Sequence, residues 1–508
     1  MGATALAGPA YADQVSLRST DGTINLQGQL ISFDDEHYRI QTALGDLRVS
    51  ADTVRCEGSG CPVFDEISAD VAIAGSDTIT TGLMPLLLAG FATNLDADAS
   101  SEKTQEQGEF ATTLVGQSGF GDEIGTYLVR SGPAESAFSN LLDQSIQLAT
   151  STRRILPDEA RALKAAGAGN MIDPSQEHII AIDSLVVIVN PQNPIQEIGM
   201  ADLAKIYSGE VTNWSQLGGP DLAIQTVTQE DTGANAVFKT GVLGSENTDL
   251  ASAHQAEDNV AAAAFVGENP GAIAYVGYAF KRGQKPLALV SECGIGTTPD
   301  AFSVKTEEYA LFRRLYMYNR ADQADALSAD FLGFATSDAA SQVILQSGFI
   351  DLAIEKAPDG ADDLRIARLQ AIESDSFETQ LSADLIAMLD ANERLSSTFR
   401  FRTGSSKLDP RGELDLERLA TYLGDMPDGT IVTFVGFTDD VGAFEPNLAL
   451  SQNRADQVRD ALTAIAGDSL EGITFAATGF GEIAPGACNT SDTGRSINRR
   501  VETWVQLP

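Results

Sequence analysis

Asp439 and Arg454 are two charged side chains whose types and spacing suit the capture of a small zwitterion. They lie in the stretch FTDDVGAFEPNLALSQNR, which we interpret as a turn that carries the aspartate and a helix that carries the arginine. A guanidinium grips a carboxylate through a planar fork, and a carboxylate accepts hydrogen bonds from an ammonium group. One amino-acid ligand could therefore contact both side chains. An ordinary helix cap and ion pair would use the same residue types.

The elements that would position this pair alternate between strands and helices. STFRFRTG and IVTFVGFTD read as strands, and each is followed by an amphipathic helical pattern, the first led in by Asp409 and Pro410. ITFAATGFGEIAP and RRVETWVQL supply two more strands. The predicted order for residues 396–508 is β-α-β-α-β-β, which describes an α+β domain.

This segment contains four short motifs, which are, in order, GFTDDVG, NxxLSxxRAxxV from Asn447, GFGE and GRSINRRVE. With these motifs, residues 396–508 closely resemble the OmpA-like peptidoglycan-binding domain. In that family the aspartate of the TD turn and the arginine of LSxxRA hold the free end of diaminopimelate in the stem peptide of the cell wall. The resemblance implies that Asp439 and Arg454 bind peptidoglycan, with Asn447 and Arg499 beside them.

Further upstream, four turns between strands and predicted helices are rich in serine, threonine and glycine. Such turns leave backbone N–H groups free at a helix start and add hydroxyl groups, which suits an oxyanion. Any one of them taken singly reads as a plain helix cap. The candidate anion-binding residues are Ser76, Thr78, Ser131, Ser151, Thr152, Arg153, Thr232 and Gly233.

The strings around these turns carry a second resemblance. GSDT, LATSTRRI, IYSGEVTNW, DTGANAVF and PGAIAYVGYAF resemble the solute-binding proteins of phosphate-type ABC transporters over residues 68–350. In that family two α/β lobes close around an oxyanion. The resemblance implies a pocket built from the eight residues above, a phosphate-like solute and an ABC-transporter membrane complex as a partner.

One departure from that family concerns the second lobe. Where the family carries an R-x-D-x-SGT-like turn, residues 228–234 read TQEDTGA, so the arginine that would pair with the oxyanion is absent from its usual place. Two functions therefore remain open. The first is a periplasmic substrate-binding protein for a small oxyanion, tethered to peptidoglycan; the second is a cell-envelope scaffold whose binding-protein-like region no longer binds phosphate.

Several classes of function are disfavoured by motif and charge. The sequence has no GxSxG, HExxH, Walker P-loop or CxxC motif, so we expect no catalytic site, no cofactor and no metal. The chain has 72 acidic and 33 basic residues, a formal net charge of −39. A field of that sign repels polyanions, so we expect no nucleic-acid partner.

The N-terminus and the cysteines indicate an exported protein. Residues 1–12 end in Ala-Tyr-Ala, the form of a signal-peptidase site, and we interpret them as the remnant of an export signal. In an oxidising compartment the hexapeptide from Cys56 to Cys61, which contains two glycines, favours a local disulfide. Spacing does not support a bond between Cys293 and Cys488. We expect the periplasm, in association with the cell wall or outer membrane.

The predicted fold class is an α/β multidomain protein. Short alternating strands indicate a small barrel or sandwich near the N-terminus, and an Ala-, Leu- and acid-rich segment indicates a helical linker. The predicted segments are the export-signal remnant at 1–12, a small all-β module at 13–62, a two-lobe periplasmic-binding-protein fold at 63–355, the linker at 356–395 and the α+β OmpA-like domain at 396–508.

Overall fold

The structure is a computed structural model, and its chain divides into two compact units. The first comprises Met1–Ser151, Ile155–Met171 and Met317–Ala335, and the second comprises Thr152–Arg154, Ile172–Tyr316 and Thr336–Pro508. The residues described are 14–19, 25–34, 37–43, 45–62, 68–104, 106, 108–118, 121–229, 233–244, 249–251, 253–323, 325–371, 376–408 and 410–508. The predicted export-signal remnant, residues 1–12, lies outside them.

A five-stranded antiparallel sheet begins the first unit. Its order is β4-β3-β2-β1-β5, and its buried face includes Val15, Leu17, Tyr38 and Ile40. The described residues of this module thus form one sheet rather than the predicted barrel or sandwich. Cys56 and Cys61 form a disulfide bond after the last strand. The strands are β1 (Gln14–Arg18), β2 (Asn25–Phe33), β3 (His37–Thr42), β4 (Gly45–Ser50) and β5 (Arg55–Glu57).

The α/β part of the first unit follows. The strand order β10-β6-β9-β8-β7 is parallel across its first three strands and antiparallel across its last three. Parallel strands bring their carboxyl ends to one edge of a sheet, which positions the turns that follow them. The elements are β6 (Val71–Gly75), α1 (Asp77–Thr80), α2 (Met84–Asn94), β7 (Ala97–Lys103), β8 (Glu109–Gly116), β9 (Glu123–Ser131), α3 (Ala134–Leu142), β10 (Leu148–Ser151) and α4 (Pro157–Ala165).

The second unit begins with another α/β region. Its strands follow the order β14-β13-β15-β11, with β16 added to β11, and β12, β17 and β18 form a small separate sheet. Trp214 is fully buried in its core and donates a hydrogen bond from Nε1 to the carbonyl of Gly271, 3.0 Å away. The elements are β11 (Glu177–Val189), β12 (Glu197–Gly199), α5 (Met200–Tyr207), β13 (Gln225–Gln229), α6 (Gly233–Phe238), β14 (His254–Ala256), α7 (Asn259–Glu268), β15 (Ala272–Gly277), β16 (Lys285–Pro286), β17 (Ala288–Val290), β18 (Gly296–Thr297) and α8 (Ala301–Lys305).

The chain then returns to the first unit for a short distance. Strand β19 (Phe312–Asn319) crosses the boundary between the units, helix α9 (Ala326–Ala335) belongs to the first, and helix α10 (Ser341–Gln346) belongs to the second. Within the first unit, Phe91 packs edge-on against Phe331 of α9 with ring centroids 5.4 Å apart. Helix α9 therefore contributes to the core of that unit.

The C-terminal part of the second unit is an α+β domain. Its sheet has the order β20-β23-β21-β22, and β21 and β22 are parallel. Leu416 and Leu419 of α13 pack with Val458 and Leu462 of α14 in its core. The elements are α11 (Asp363–Gln370), α12 (Ser376–Ala391), β20 (Glu393–Arg400), α13 (Pro410–Gly424), β21 (Ile431–Gly436), α14 (Phe444–Ala466), β22 (Thr474–Gly479), α15 (Asp492–Asn498) and β23 (Arg500–Gln506).

Helix α15 was not predicted. The segment SDTGRSIN has no apolar periodicity, which is the signal that sequence reasoning uses. A cap fixes it instead: the side chain of Ser491 accepts a hydrogen bond from the backbone N–H of Gly494, 3.0 Å away. The order is therefore β-α-β-α-β-α-β. The segment predicted as a helical linker contains the helices α11 and α12, and its Leu369, Leu385 and Leu389 pack against the C-terminal sheet.

A buried cluster of ion pairs joins three segments of the second unit. Glu502 of β23 is fully buried and accepts hydrogen bonds from Arg365 Nη1 at 2.9 Å and from Arg500 Nε at 2.7 Å. Arg394 lies 3.3 Å from Glu502 and also pairs with Glu308 at 2.5 Å. Burial opposes ionisation of Glu502, but the guanidinium groups of Arg365, Arg394 and Arg500 outweigh it and hold its pKa well below the ordinary value.

A disulfide bond reinforces this connection. Cys293 and Cys488, 195 residues apart in sequence, form it within the second unit. Spacing alone could not support this pairing, because the two cysteines meet only once both regions have folded. In the part of the chain that the structure describes, no helix is both long enough and apolar enough to cross a membrane.

Candidate functional site

The C-terminal site is built where β21 ends and α14 begins. Two glycines let α14 pack directly on the sheet: a Cβ at Gly436 would lie 2.0 Å from the carbonyl oxygen of Ser451, and one at Gly479 would lie 2.3 Å from the backbone nitrogen of Gln452. Any other residue would push the helix away. The close packing brings Asn447 and Arg454 of the helix beside the turn that carries Asp439.

Asp439 is 5% exposed and is held by two neighbours. Its Oδ2 accepts a hydrogen bond from Arg499 Nη1 at 2.6 Å, which is also an ion pair. Asn447 Nδ2 donates to the backbone carbonyl of Asp439 at 3.3 Å and to Oε2 of Glu482 at 2.5 Å. Arg499 is fixed in turn, because its Nε donates to the carbonyl of Phe401 at 3.1 Å.

Arg454 is fully buried and binds three backbone carbonyls. Its Nε donates to Ser405 at 2.9 Å, and its two terminal nitrogens donate to Phe437 and Arg402, each at 3.2 Å. Burial lowers the pKa of Arg454 to about 10, helped by the charge of Arg499 and opposed by that of Asp439. The guanidinium is therefore charged at neutral pH.

The buried position of Arg454 differs from the simple fork that the sequence predicts. A guanidinium carries five N–H groups, and three of them hold the turn at Phe437 and the loop after β20. The remaining two donate to no residue within the described part of the chain. Arg454 thus fixes the backbone around the site from a fully buried position.

The structure brings together all four predicted residues of this site: Asp439, Asn447, Arg454 and Arg499. Sequence reasoning missed the roles of Glu482 and Ser405. The signal for Glu482 was present in the GFGE motif, whose last residue it is. Ser405 acts through its backbone carbonyl, which any residue type provides.

In the first unit, three of the predicted anion-binding residues share the carboxyl edge of the parallel strands. Ser131, the last residue of β9, and Thr150 of β10 are both paired in register with Gly75 of β6. Ser76 follows Gly75 in the chain, and Ser151 follows Thr150. Gly75 has φ +144°, and a Cβ there would lie 2.0 Å from the carbonyl oxygen of Thr150. Glycine is therefore required for the strands to approach this closely.

Hydrogen bonds tie these turns together. The hydroxyls of Ser131 and Thr80 lie 2.8 Å apart, and Thr80 also donates to the carbonyl of Ser76 at 3.1 Å. Thr78 lies between them in the four-residue helix α1. Sequence reasoning missed Thr80, which is fully buried one helical turn after Ser76.

The other predicted anion-binding residues fall elsewhere. Thr152 and Arg153 belong to the second unit. Thr232 lies outside the described residues, and Gly233 begins α6. On the neighbouring strand, Gln229 Nε2 donates to Asn259 Oδ1 and to the carbonyl of Tyr275, each at 3.0 Å. Among the described residues there is no group of three or more His, Cys, Asp or Glu side chains that could hold a metal ion.

Comparison with known proteins identifies two family regions in the chain. Residues 63–339, more than half of the chain, match the PBP superfamily domain. The chain belongs to the PBP superfamily. Beyond this PBP region, residues 400–499 match the OmpA family. Both predicted resemblances are confirmed, and so is the predicted fold class, an α/β multidomain chain with an all-β N-terminal module and an α+β OmpA-like domain.

Individual relatives match one region or the other. The phosphate-binding protein PstS of Bacillus subtilis is 25% identical over 236 residues, which cover 46% of this chain and 74% of that protein. The peptidoglycan-binding protein ArfA of Mycobacterium bovis is 38% identical over 107 residues, 21% of this chain and 31% of that protein. The crystal structure of an ABC-type phosphate transport receptor from Vibrio cholerae is 21% identical with a TM-score of 0.42, covering 55% of this chain and 99% of that one.

Proposed function

We propose that this PBP-superfamily protein is held non-covalently on peptidoglycan by its OmpA-like domain. The observation that carries the proposal is the assembly of Asp439, Arg499, Asn447 and Arg454 around one turn. A carboxylate and a guanidinium with unused donors offer one partner to each end of a zwitterion. The name of the relative ArfA, a peptidoglycan-binding protein, supports the same ligand.

The ligand at this site would be the free end of diaminopimelate in the stem peptide. Its ammonium group would bind Asp439, and its α-carboxylate would accept from Arg454. Because Arg499 already pairs with Asp439, the ammonium group would share that carboxylate with a cation. We therefore place Arg499 as a residue that positions Asp439, in addition to any contact of its own with the ligand.

For the PBP region we propose a small oxyanion such as phosphate as the solute. Ser76, Ser131 and Ser151 meet at the carboxyl edge of parallel strands, where α/β proteins commonly bind ligands. The name of the relative PstS, a phosphate-binding protein, supports this chemistry. On this proposal the protein works in the periplasm and delivers its solute to an ABC-transporter membrane complex.

A second candidate function is a cell-envelope scaffold whose PBP region no longer binds phosphate. The observation that favours it is the turn TQEDTGA, which lacks the expected arginine and adds two carboxylates. A dianion near those carboxylates would be repelled. The side chain of Gln229, in the position before them, is also engaged with Asn259 and Tyr275.

Calorimetry on the full chain separates the two functions. Phosphate, sulfate and a neutral sugar are titrated into the protein and into its Ser131→Ala variant. The substrate-binding function predicts heat with phosphate or sulfate, and weaker binding by the variant. Absence of heat and of any thermal shift with every solute would favour the scaffold.

Co-sedimentation with purified cell wall tests the anchor independently. The full chain should pellet with the wall whether or not a solute is present. A chain that stays in the supernatant under all salt conditions would disprove the anchor and leave the solute question open.

A further inference from the structure

A cavity of about 610 Å³ adjoins the Asp439 site within the second unit. One wall comes from the OmpA-like domain, with residues from β20, the loop that follows it, α13 and α15 together with Arg499. The other wall comes from the end of the PBP region, with Glu307, Phe312, Arg314 and Tyr316. The cavity therefore depends on both regions, and an isolated OmpA-like domain would lack those four lining residues.

The lining is cationic in a protein of net charge −39. It contains five basic residues, which are Arg314, Arg400, Arg402, Lys407 and Arg499, against two acidic ones, Glu307 and Asp415. Glu307 pairs with Arg314 and lies 3.8 Å from Arg400, so it is already engaged by these two arginines. A basic surface of this kind attracts anions locally, although the net negative charge of the protein repels them.

The side chains of two of these cations have no partner among the described residues. The side chains of Arg402 and Lys407 are exposed, and neither side chain forms an ion pair or hydrogen bond with any residue that the structure describes. A further polar group is unused: Thr398 lines the cavity, and its hydroxyl oxygen is buried without a hydrogen-bond partner among the described residues. Buried polar atoms are rarely left unpaired, so this hydroxyl indicates a place for a ligand or a water.

The cavity shares residues with the surroundings of Asp439. Arg499 lines it and also pairs with Asp439. Arg402 and Ser405 line it and also accept hydrogen bonds from Arg454 through their carbonyls. A peptide whose end is held by Asp439 would thus have a neighbouring residue within reach of the cavity.

We propose that this cavity binds a second carboxylate of the stem peptide, one residue or more from the end held at Asp439. Arg402 and Lys407 supply the charge, and Thr398 supplies a hydroxyl donor. The proposal rests on the proposed peptidoglycan anchor and extends it. Its consequence is selectivity: the protein distinguishes stem peptides with a free glutamate carboxylate from peptides in which that carboxylate is amidated.

The test uses the full chain and two soluble stem peptides ending in diaminopimelate, one with the glutamate carboxylate free and one with it amidated. Binding is measured for the wild type and for the double variant Arg402→Gln/Lys407→Gln. The matched control is Lys164→Gln/Arg282→Gln, which removes two basic side chains elsewhere. Because each exposed ion pair contributes little and two are removed, we expect the double variant to bind the free-carboxylate peptide about three- to tenfold more weakly.

The wild type and the control should prefer the free-carboxylate peptide, and the double variant should bind both peptides alike. Equal affinity of the wild type for the two peptides would overturn the proposal, and so would a double variant that keeps the preference. Failure of the wild type to bind either peptide would overturn the anchor as well. The two failures are distinguishable, because a wild type that binds both peptides equally keeps the anchor and lacks only the preference.

Discussion

Asp439 and Arg499, 60 residues apart in sequence, form a 2.6 Å ion pair at the edge of the OmpA-like domain. The pair holds the aspartate in one orientation, with its side chain almost fully buried. We expect Asp439→Asn to reduce co-sedimentation with purified cell wall at least tenfold. The substitution removes the carboxylate that would bind the ammonium group of the ligand and keeps the size of the side chain. Asp440→Asn is the control, since Asp440 is exposed on the same turn. Equal pelleting of Asp439→Asn and the control would contradict the site.

Arg454 requires a different substitution. Because its guanidinium holds three backbone carbonyls, Arg454→Ala would leave them buried without donors and would destabilise the domain. Arg454→Lys keeps the charge but cannot reproduce the planar fork. We expect this variant to bind the wall more weakly and to unfold at a lower temperature than the wild type. Weaker binding alone, with an unchanged unfolding temperature, would show that the three carbonyl contacts matter little.

Glu502 should make stability depend on pH. Its folded pKa lies below that of the unfolded chain, about 4.3 for a glutamate, so its contribution is present above that pH and is lost as the pH falls further. We expect Glu502→Gln to cost about 3–5 kcal/mol at pH 7, since three arginines lose their buried partner. The difference from the wild type should shrink below about pH 4. Urea unfolding between about pH 3 and 7 measures it, with exposed Glu471→Gln as the control. A difference that stays constant with pH would show that the charge of Glu502 is not responsible.

The two disulfides should differ in their effect on stability. In the chain-entropy account, a bond that closes a long loop restricts the unfolded chain more than one that closes a short loop. Cys293 and Cys488 are separated by 195 residues, whereas Cys56 and Cys61 are separated by 5. We expect Cys293→Ser/Cys488→Ser to cost about 3–5 kcal/mol and Cys56→Ser/Cys61→Ser about 2. Scanning calorimetry with and without reductant measures both. A larger loss for the shorter loop would contradict the entropic explanation.

Gly75 should not tolerate a side chain. Its φ is +144°, and an added Cβ would lie only 2.0 Å from the Thr150 carbonyl oxygen, so Gly75→Ala must displace β10 or the turn at Ser76. We expect a loss of more than about 2 kcal/mol and weaker oxyanion binding, if the proposed solute site is correct. Gly333→Ala is the matched control in the same unit, because the residue is helical and no described atom beyond its own helix backbone lies within 4 Å of its added Cβ. Equal stability of the two variants would refute the close-approach explanation.

Local patterns predicted much of this molecule, and long-range contacts explain what they missed. The strands and helices around Asp439 and Arg454 could be predicted, because the apolar periodicity that indicates them depends on residues close together in sequence. The pairing of Asp439 with Arg499, the burial of Arg454 under the loop at Ser405 and the bond between Cys293 and Cys488 depend on residues that meet only after folding. Helix α15 was missed because a cap, and not an apolar pattern, determines it.

The disulfide between Cys293 and Cys488 also determines what a protease can release. Residues 294–487 form a covalently closed loop that contains both α11 and α12 as well as most of the OmpA-like domain. A single cut anywhere in that loop leaves the two fragments attached to each other under oxidising conditions. After a single cut within α11 or α12, the PBP region would separate covalently from the wall-binding region only on reduction, so the protein should withstand such a nick without losing its anchor.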